Sequence, residues 1–151
     1  MATNLFIAKI AYSTSVDGVG LRNALYVSGC PIRCAGCHNK QLWDINSGLQ
    51  MSVKDVCDSL NVDNFNISIL GGEPLMQYEG ILELCKMIKA QYPHKTIWSG
   101  YTIEHIKEHF EEVLHYVDVI VDGPYMEQFA VPNLKWRGST NQRIIETKTL
   151  F

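Results

Sequence analysis

Three of the five cysteines fall in one short stretch, Cys30-Pro31-Ile32-Arg33-Cys34-Ala35-Gly36-Cys37, at the spacing C-x3-C-x2-C. Thiolates are soft donors that suit iron–sulfur clusters, zinc or Cu(I). A structural zinc site closes with four ligands, and this loop offers three. His38 adjoins Cys37 and turns poorly onto the same metal. A cubane 4Fe-4S cluster held by three thiolates keeps one iron open to a further ligand. The loop therefore reads as an iron–sulfur site, as a zinc site completed from elsewhere, or as three unligated thiols. Cys57 and Cys85 stand on inward helix faces and are accounted for as small core residues. Five cysteines in a chain expected in a reducing compartment fit a disulfide framework poorly.

The elements that must position this loop alternate between apolar strands and amphipathic helices. Leu5–Tyr12 reads as a strand, and Ala24–Ser28 as a second that runs into Gly29 and the cysteines. Ser52 caps a helix, with Asp55 three residues on and Val53, Val56, Cys57 and Leu60 on one face. Asn66–Leu70 is a strand stopped by Gly71-Gly72. A helix follows over about Gln77–Gln91, with Ile81, Leu84, Cys85 and Ile88 aligned. Thr96–Trp98 is a strand ending at Ser99-Gly100. Thr102 caps a helix with Ile103, Ile106, Phe110 and Val113 inside. Val117–Val121 is a strand ending at Asp122-Gly123-Pro124, and the tail from Asn141 to Phe151 alternates weakly, as a last strand would.

This alternation predicts a parallel sheet with βαβ crossovers. An eight-unit barrel takes about 250 residues, so the 151-residue chain is expected to form an incomplete (partial) parallel β/α barrel of about five to six strands, as one domain over 1–151. In such sheets the chemistry lies at the carboxyl ends of the strands. Cys30, Gly71-Gly72-Glu73, Ser99-Gly100 and Asp122-Gly123 all follow strands, so they converge on one rim.

Thirteen Lys+Arg against sixteen Asp+Glu leave a net charge of −3, which argues against a chain held on nucleic acid by phosphate contacts. No apolar run approaches the ~18 residues of a membrane span. The opening MATNLFIAKIAYS lacks the pattern of a secretory signal, so the expected compartment is the cytoplasm.

Cys30, Cys34 and Cys37, followed one strand later by Gly71-Gly72-Glu73-Pro74, resemble the radical S-adenosylmethionine superfamily. Asp17-Gly18-Val19-Gly20-Leu21-Arg22, Val121-Asp122-Gly123-Pro124-Tyr125 and Trp136-Arg137-Gly138-Ser139-Thr140-Asn141-Gln142-Arg143 further resemble the activating enzymes of the anaerobic (class III) ribonucleotide reductase. The resemblance covers almost the whole chain. Val19 departs from the proline usual there, a loss of turn stiffness rather than of chemistry.

The resemblance implies a 4Fe-4S cluster on the three cysteines whose open iron chelates S-adenosylmethionine. An electron from a donor such as flavodoxin would cleave that cofactor reductively, and the resulting radical would take a hydrogen atom from a glycine in a loop of the reductase large subunit. It also implies cofactor contacts from Gly36, Cys37 and His38, and an ammonium site at Gly71, Gly72 and Glu73. Two glycines let backbone come close to a ligand, and a carboxylate suits an ammonium. Ser99 and Asp122 are candidates for the ligand's carboxylate, its ribose or a nearby cation, or else simply turn residues. Asp17 and Arg22 read as an ion pair or a partner contact. Trp136 and Arg137 read as a partner contact or as a packed ring beside a solvated cation. Glu104, Glu108, Glu111 and Glu112, with His105, His109 and His115, read as a solvated helix face. Trp98 and Tyr101 are expected to pack. The competing expectations are a small-molecule enzyme of the same superfamily, deazapurine-synthase-like, and a zinc-stabilised binding module.

Overall fold

A computed structural model of the chain describes residues 4–14, 22–29, 44, 48–61, 65–89, 94–131, 134 and 137–151. The cysteine loop, Asp17 and Trp136 lie outside them.

The described strands are β1 (Asn4–Thr14), β2 (Arg22–Val27), β3 (Leu49–Ser52), β4 (Asn66–Gly71), β5 (Lys95–Trp98), β6 (Val119–Asp122) and β7 (Arg143–Glu146). They form one open, mixed sheet in the order β3-β1-β2-β4-β5-β6-β7. Its centre, β2-β4-β5-β6, is parallel. Its flanks are antiparallel: β1 pairs with β2 and β3, and β7 with β6.

The helices are α1 (Val53–Leu60), α2 (Tyr78–Lys89) and α3 (Ile103–His109). Ser52 caps α1, its side chain accepting from the Asp55 N–H at 3.1 Å, and Thr102 caps α3 through the His105 N–H at 3.3 Å. Such a cap contributes about 1 kcal/mol by satisfying a first-turn donor. A 3-10 turn over Pro74–Gln77 precedes α2, so that helix begins at Tyr78. Phe110 ends α3, and Val113 falls in a separate 3-10 turn, Glu111–His115.

Val53, Val56, Cys57 and Leu60 of α1 and Ile81, Leu84, Cys85 and Ile88 of α2 are buried with Leu5, Leu25, Val27, Ile67, Ile69, Ile97 and Ile120 of the sheet. Each fully buried aliphatic side chain contributes roughly 1.5–3 kcal/mol. This core fixes the central strands, and through them the turns that follow.

The sheet departs from the all-parallel arrangement of five to six strands that the alternation predicts. The reason lies in the connections. A parallel crossover needs roughly a dozen residues or more, and only seven residues, 15–21, separate β1 from β2. That link closes an antiparallel pair instead. β3 is four residues long and runs directly into α1, so it carries too little periodicity to be read as a strand.

Candidate ligand site at the carboxyl rim

The parallel strands β2, β4, β5 and β6 end on the same side, at Val27, Gly71, Trp98 and Asp122. Ser28-Gly29, Gly72-Glu73, Ser99-Gly100 and Gly123 follow them, and Cys30 comes directly after Gly29. Hydrogen bonds link these turns. The Gly72 N–H donates to the Val27 carbonyl at 2.9 Å and the Glu73 N–H to the Gly29 carbonyl at 2.7 Å. The Ser99 N–H donates to Val121 at 2.9 Å, and the Gly123 N–H to Tyr101 at 3.0 Å.

The need for two glycines is visible in these contacts. Gly71 has φ of +109°, and a Cβ there would stand 2.7 Å from the Val27 nitrogen. A Cβ on Gly72 would stand 2.4 Å from the Gly29 carbonyl oxygen. Both approaches are to backbone, which cannot give way as a flexible side chain can. The glycines thus press the turn after β4 against the turn that opens into the cysteine loop. The sequence suggested closeness to a ligand; the structure shows closeness of one turn to another.

Glu73 sits within this contact and is 1 % exposed. Its carboxylate accepts from the Leu75 N–H at 3.0 Å, the Ser99 hydroxyl at 3.0 Å and the Gly100 N–H at 2.6 Å. Burial pushes the carboxyl up to about 7, against the pull of the Leu75 and Gly100 amides and the Ser99 hydroxyl. The Ser99 oxygen also accepts from the Tyr101 N–H at 3.1 Å.

Asp122, at the end of β6, is fully buried. Its Oδ2 accepts from the Ile103 N–H at 2.7 Å and from Arg143 at 2.6 Å, and its Oδ1 accepts from the Arg143 backbone and Nε, both at 3.1 Å. Arg143 reaches on to Glu104 at 2.8 Å, and this partner holds the exposed Glu104 carboxyl down at about 2. Expected to touch a ligand or to shape a turn, Asp122 is engaged here in joining α3 and β7 to the rim.

The motif ending at Arg143 supplies further links. The Gln142 side chain accepts from the Gly138 N–H at 2.7 Å and donates to the Gly123 carbonyl at 2.9 Å. Asn141 donates to the Pro124 carbonyl at 2.8 Å. Arg137 donates to the Gln142 carbonyl of its own loop at 2.9 Å. Sequence reasoning singled out this motif but did not assign Gln142 and Arg143 a place at the rim. The only available signal was a cluster of polar side chains following an Asp-Gly turn.

Arg22 lies at the other end of the sheet and is 2 % exposed. It donates to the Ile67 carbonyl and to Thr96, both at 3.1 Å, and lies 3.3 Å from His94 Nδ1. A side chain enclosed in this way offers a partner protein no surface, so the expectation of a partner contact there is corrected to a structural role. Cys57 and Cys85 are buried, and burial raises both thiols, Cys85 to about 12. Neither has the lowered pKa of a reactive or metal-binding cysteine. Around α3, Glu112 meets Lys86 at 3.1 Å, and His115 lies 3.9 Å from Glu111. Cys30, Cys34, Gly36, Cys37, His38 and Trp136 fall outside the described residues.

Glu73 donates its N–H to Gly29, the residue directly before Cys30 in the chain, so the Gly71–Glu73 turn lies against the end of β2 from which the cysteine-rich segment continues.

Residues 16–145 match the family described as a 4Fe-4S single cluster domain. The chain is 36% identical over 139 residues to the anaerobic ribonucleoside-triphosphate reductase-activating protein of Vibrio cholerae, covering 85% of this chain and 90% of that protein. It is 36% identical to the protein of the same name from Escherichia coli K12, over 84% and 89%. Identity to that of Enterobacteria phage T4 is 39%, over 85% and 86%. With likeness of this extent at both chain lengths, the protein belongs to the family of anaerobic ribonucleoside-triphosphate reductase-activating proteins.

Proposed function

We propose that this chain activates the anaerobic ribonucleotide reductase as a radical S-adenosylmethionine enzyme. In this reading Cys30, Cys34 and Cys37 would hold a 4Fe-4S cluster that binds S-adenosylmethionine. The observation that supports it is the contact between the Gly71–Glu73 turn and Gly29, the residue that precedes Cys30 in the chain. When bound, the cluster and its ligand supply one-electron reductive cleavage, a chemistry that side chains alone do not provide.

The chain's own residues bind and orient. Gly36, Cys37 and His38 border the ligand beside the cluster. The Gly71-Gly72-Glu73 turn takes the ammonium end. Ser99 and Asp122 act through the rim turns that they hold. Trp136 and Arg137 contact the reductase. A one-electron donor such as flavodoxin would supply the reducing electron, in the cytoplasm. One domain carries all of this.

The test is anaerobic reconstitution of the full chain with iron and sulfide, followed by dithionite, S-adenosylmethionine and the reductase. The expected products are 5′-deoxyadenosine and a glycyl EPR doublet on the reductase. Cleavage of the cofactor that never marks the reductase would overturn the reading in favour of a small-molecule substrate.

A further inference from the structure

Among the described residues, the large apolar side chains left exposed are those of Tyr12, Leu49, Met76, Phe129, Val131, Ile144 and Phe151. Leu49 and Ile144 stand on the outer strands β3 and β7. Tyr12 lies between Ala11 and Thr14, the partners of Ala24 and Arg22 at the start of β2, and Phe151 stacks on His115, ahead of β6. Both are therefore toward the amino end of the parallel strands. Met76 follows the turn after β4, and Phe129 and Val131 belong to the segment after β6, so these come from the carboxyl end. We propose that Met76, Phe129 and Val131 form a docking surface for the reductase. The proposal rests on the reductase reading above and extends it to residues whose type and spacing gave no signal in the sequence.

The first support is how the segment after β6 is held. It is exposed at its tip yet fixed along its main chain. The Gly123 carbonyl accepts from Gln142 at 2.9 Å, the Pro124 carbonyl from Asn141 at 2.8 Å, and the Phe129 carbonyl from the Thr140 N–H at 2.9 Å. The Met126 N–H donates to the Ser139 hydroxyl oxygen at 3.2 Å, and Ser139 is itself fully buried. Bonds to residues 139–142 thus set where Phe129 and Val131 stand. Apolar side chains on a backbone fixed in advance lose little freedom when a partner covers them. Phe and Met are also enriched in the cores of protein interfaces.

The second support is topology. β4, β5 and β6 are neighbours in the sheet, so Met76 and the segment after β6 flank the Ser99-Gly100 turn. Two strand spacings, about 10 Å, separate β4 from β6. A glycine in a loop of a folded protein reaches the carboxyl rim only if the body of that protein rests on the turns around it. The occupant of this surface is thus the protein whose loop enters the rim. A one-electron donor has no need to enter the rim, and a second copy of this chain seated there would shut the substrate out.

The test measures anaerobic binding of the reductase to the reconstituted full chain, and the rate at which the glycyl EPR doublet forms as reductase concentration is varied. Dithionite is the reductant, so no donor protein is present. The variants are F129A/V131A and M76A, with Y12A and F151A as truncations at the opposite end of the sheet. Truncation at exposed positions leaves folding nearly unchanged. Docking predicts that Kd and KM for the reductase rise about tenfold in F129A/V131A and about threefold in M76A. The rate at saturating reductase should stay at the parent value, as should 5′-deoxyadenosine formed without reductase. Y12A and F151A should bind the reductase like the parent.

An F129A/V131A chain with parent-like Kd and KM would overturn the proposal. So would an equal loss in Y12A or F151A, or a fall in the saturated rate with KM unchanged. Sedimentation of the free chain that shifts in F129A/V131A would give the surface to a second copy instead, and overturn it too. A parent chain that neither binds nor marks the reductase would refute the functional reading itself. A parent that marks it, beside an F129A/V131A variant that does so equally well at low reductase, refutes the docking surface alone.

Discussion

Two buried carboxylates stand on the same rim, and they are held in opposite ways. Asp122 faces the guanidinium of Arg143, which also pairs with Glu104 on the surface. Glu73 is held by two backbone amides and a hydroxyl, all uncharged. A charged partner makes the Asp122 end a lock that depends on the tail of the chain. Neutral donors make the Glu73 end a tie whose cost depends on proton concentration. The comparison teaches that carboxylates after successive parallel strands need not share a role, even where the sequence presents them alike.

The largest expected effect sharpens the Glu73 side. Its folded pKa of about 7 lies above the ordinary 4.5. Between those values the folded state binds more protons than the unfolded one. Stability therefore falls as pH rises through that window, by up to ~3 kcal/mol, and levels off above it. Urea unfolding from pH 4.5 to 8 should show this fall in the parent chain and a much flatter profile in E73Q. Equal slopes in the two would mean that the carboxyl is not desolvated as the structure has it.

A somewhat smaller effect tests the Asp122 side. R143A strips a buried carboxylate of its cation and should cost about 2–3 kcal/mol in urea unfolding, less than a fully enclosed pair because Arg143 is about half exposed. The loss should shrink in high salt, which screens the parent pair. A neutral outcome would remove the tail from the account of the rim. The smallest effect is that of E104A. That carboxylate is exposed and its pairing is screened, so the unfolding midpoint should barely move.

Much of the scaffold was legible in the sequence because it depends on local signals. Ser52 and Thr102 cap helices where their oxygens can meet a first-turn amide, and the apolar stripes of α1 and α2 follow helical spacing. β3 was not legible because a short edge strand owes its pairing to a neighbour far away in the chain, whereas the weak alternation of the tail did point to β7. The rim was legible as a set of strand ends, but the bonding within it was not. Nothing local says that Glu73 will meet Ser99, or that Arg143 will close on Asp122, since both pairings exist only once β4, β5, β6 and β7 lie side by side. The glycines Gly71 and Gly72 were picked out for closeness to a ligand, and it took the structure to show that their neighbour is Gly29.

The central claim is that three particular thiols, and not the other two, hold the centre that marks the reductase. It is tested by replacing each cysteine with alanine in turn, reconstituting anaerobically, and measuring bound iron together with the glycyl EPR doublet on the reductase. The account predicts that C30A, C34A and C37A each abolish the doublet and lose iron, while C57A and C85A, where they fold, keep both. A doublet that survives the loss of Cys34, or one that disappears with Cys57 in a folded chain, would contradict it.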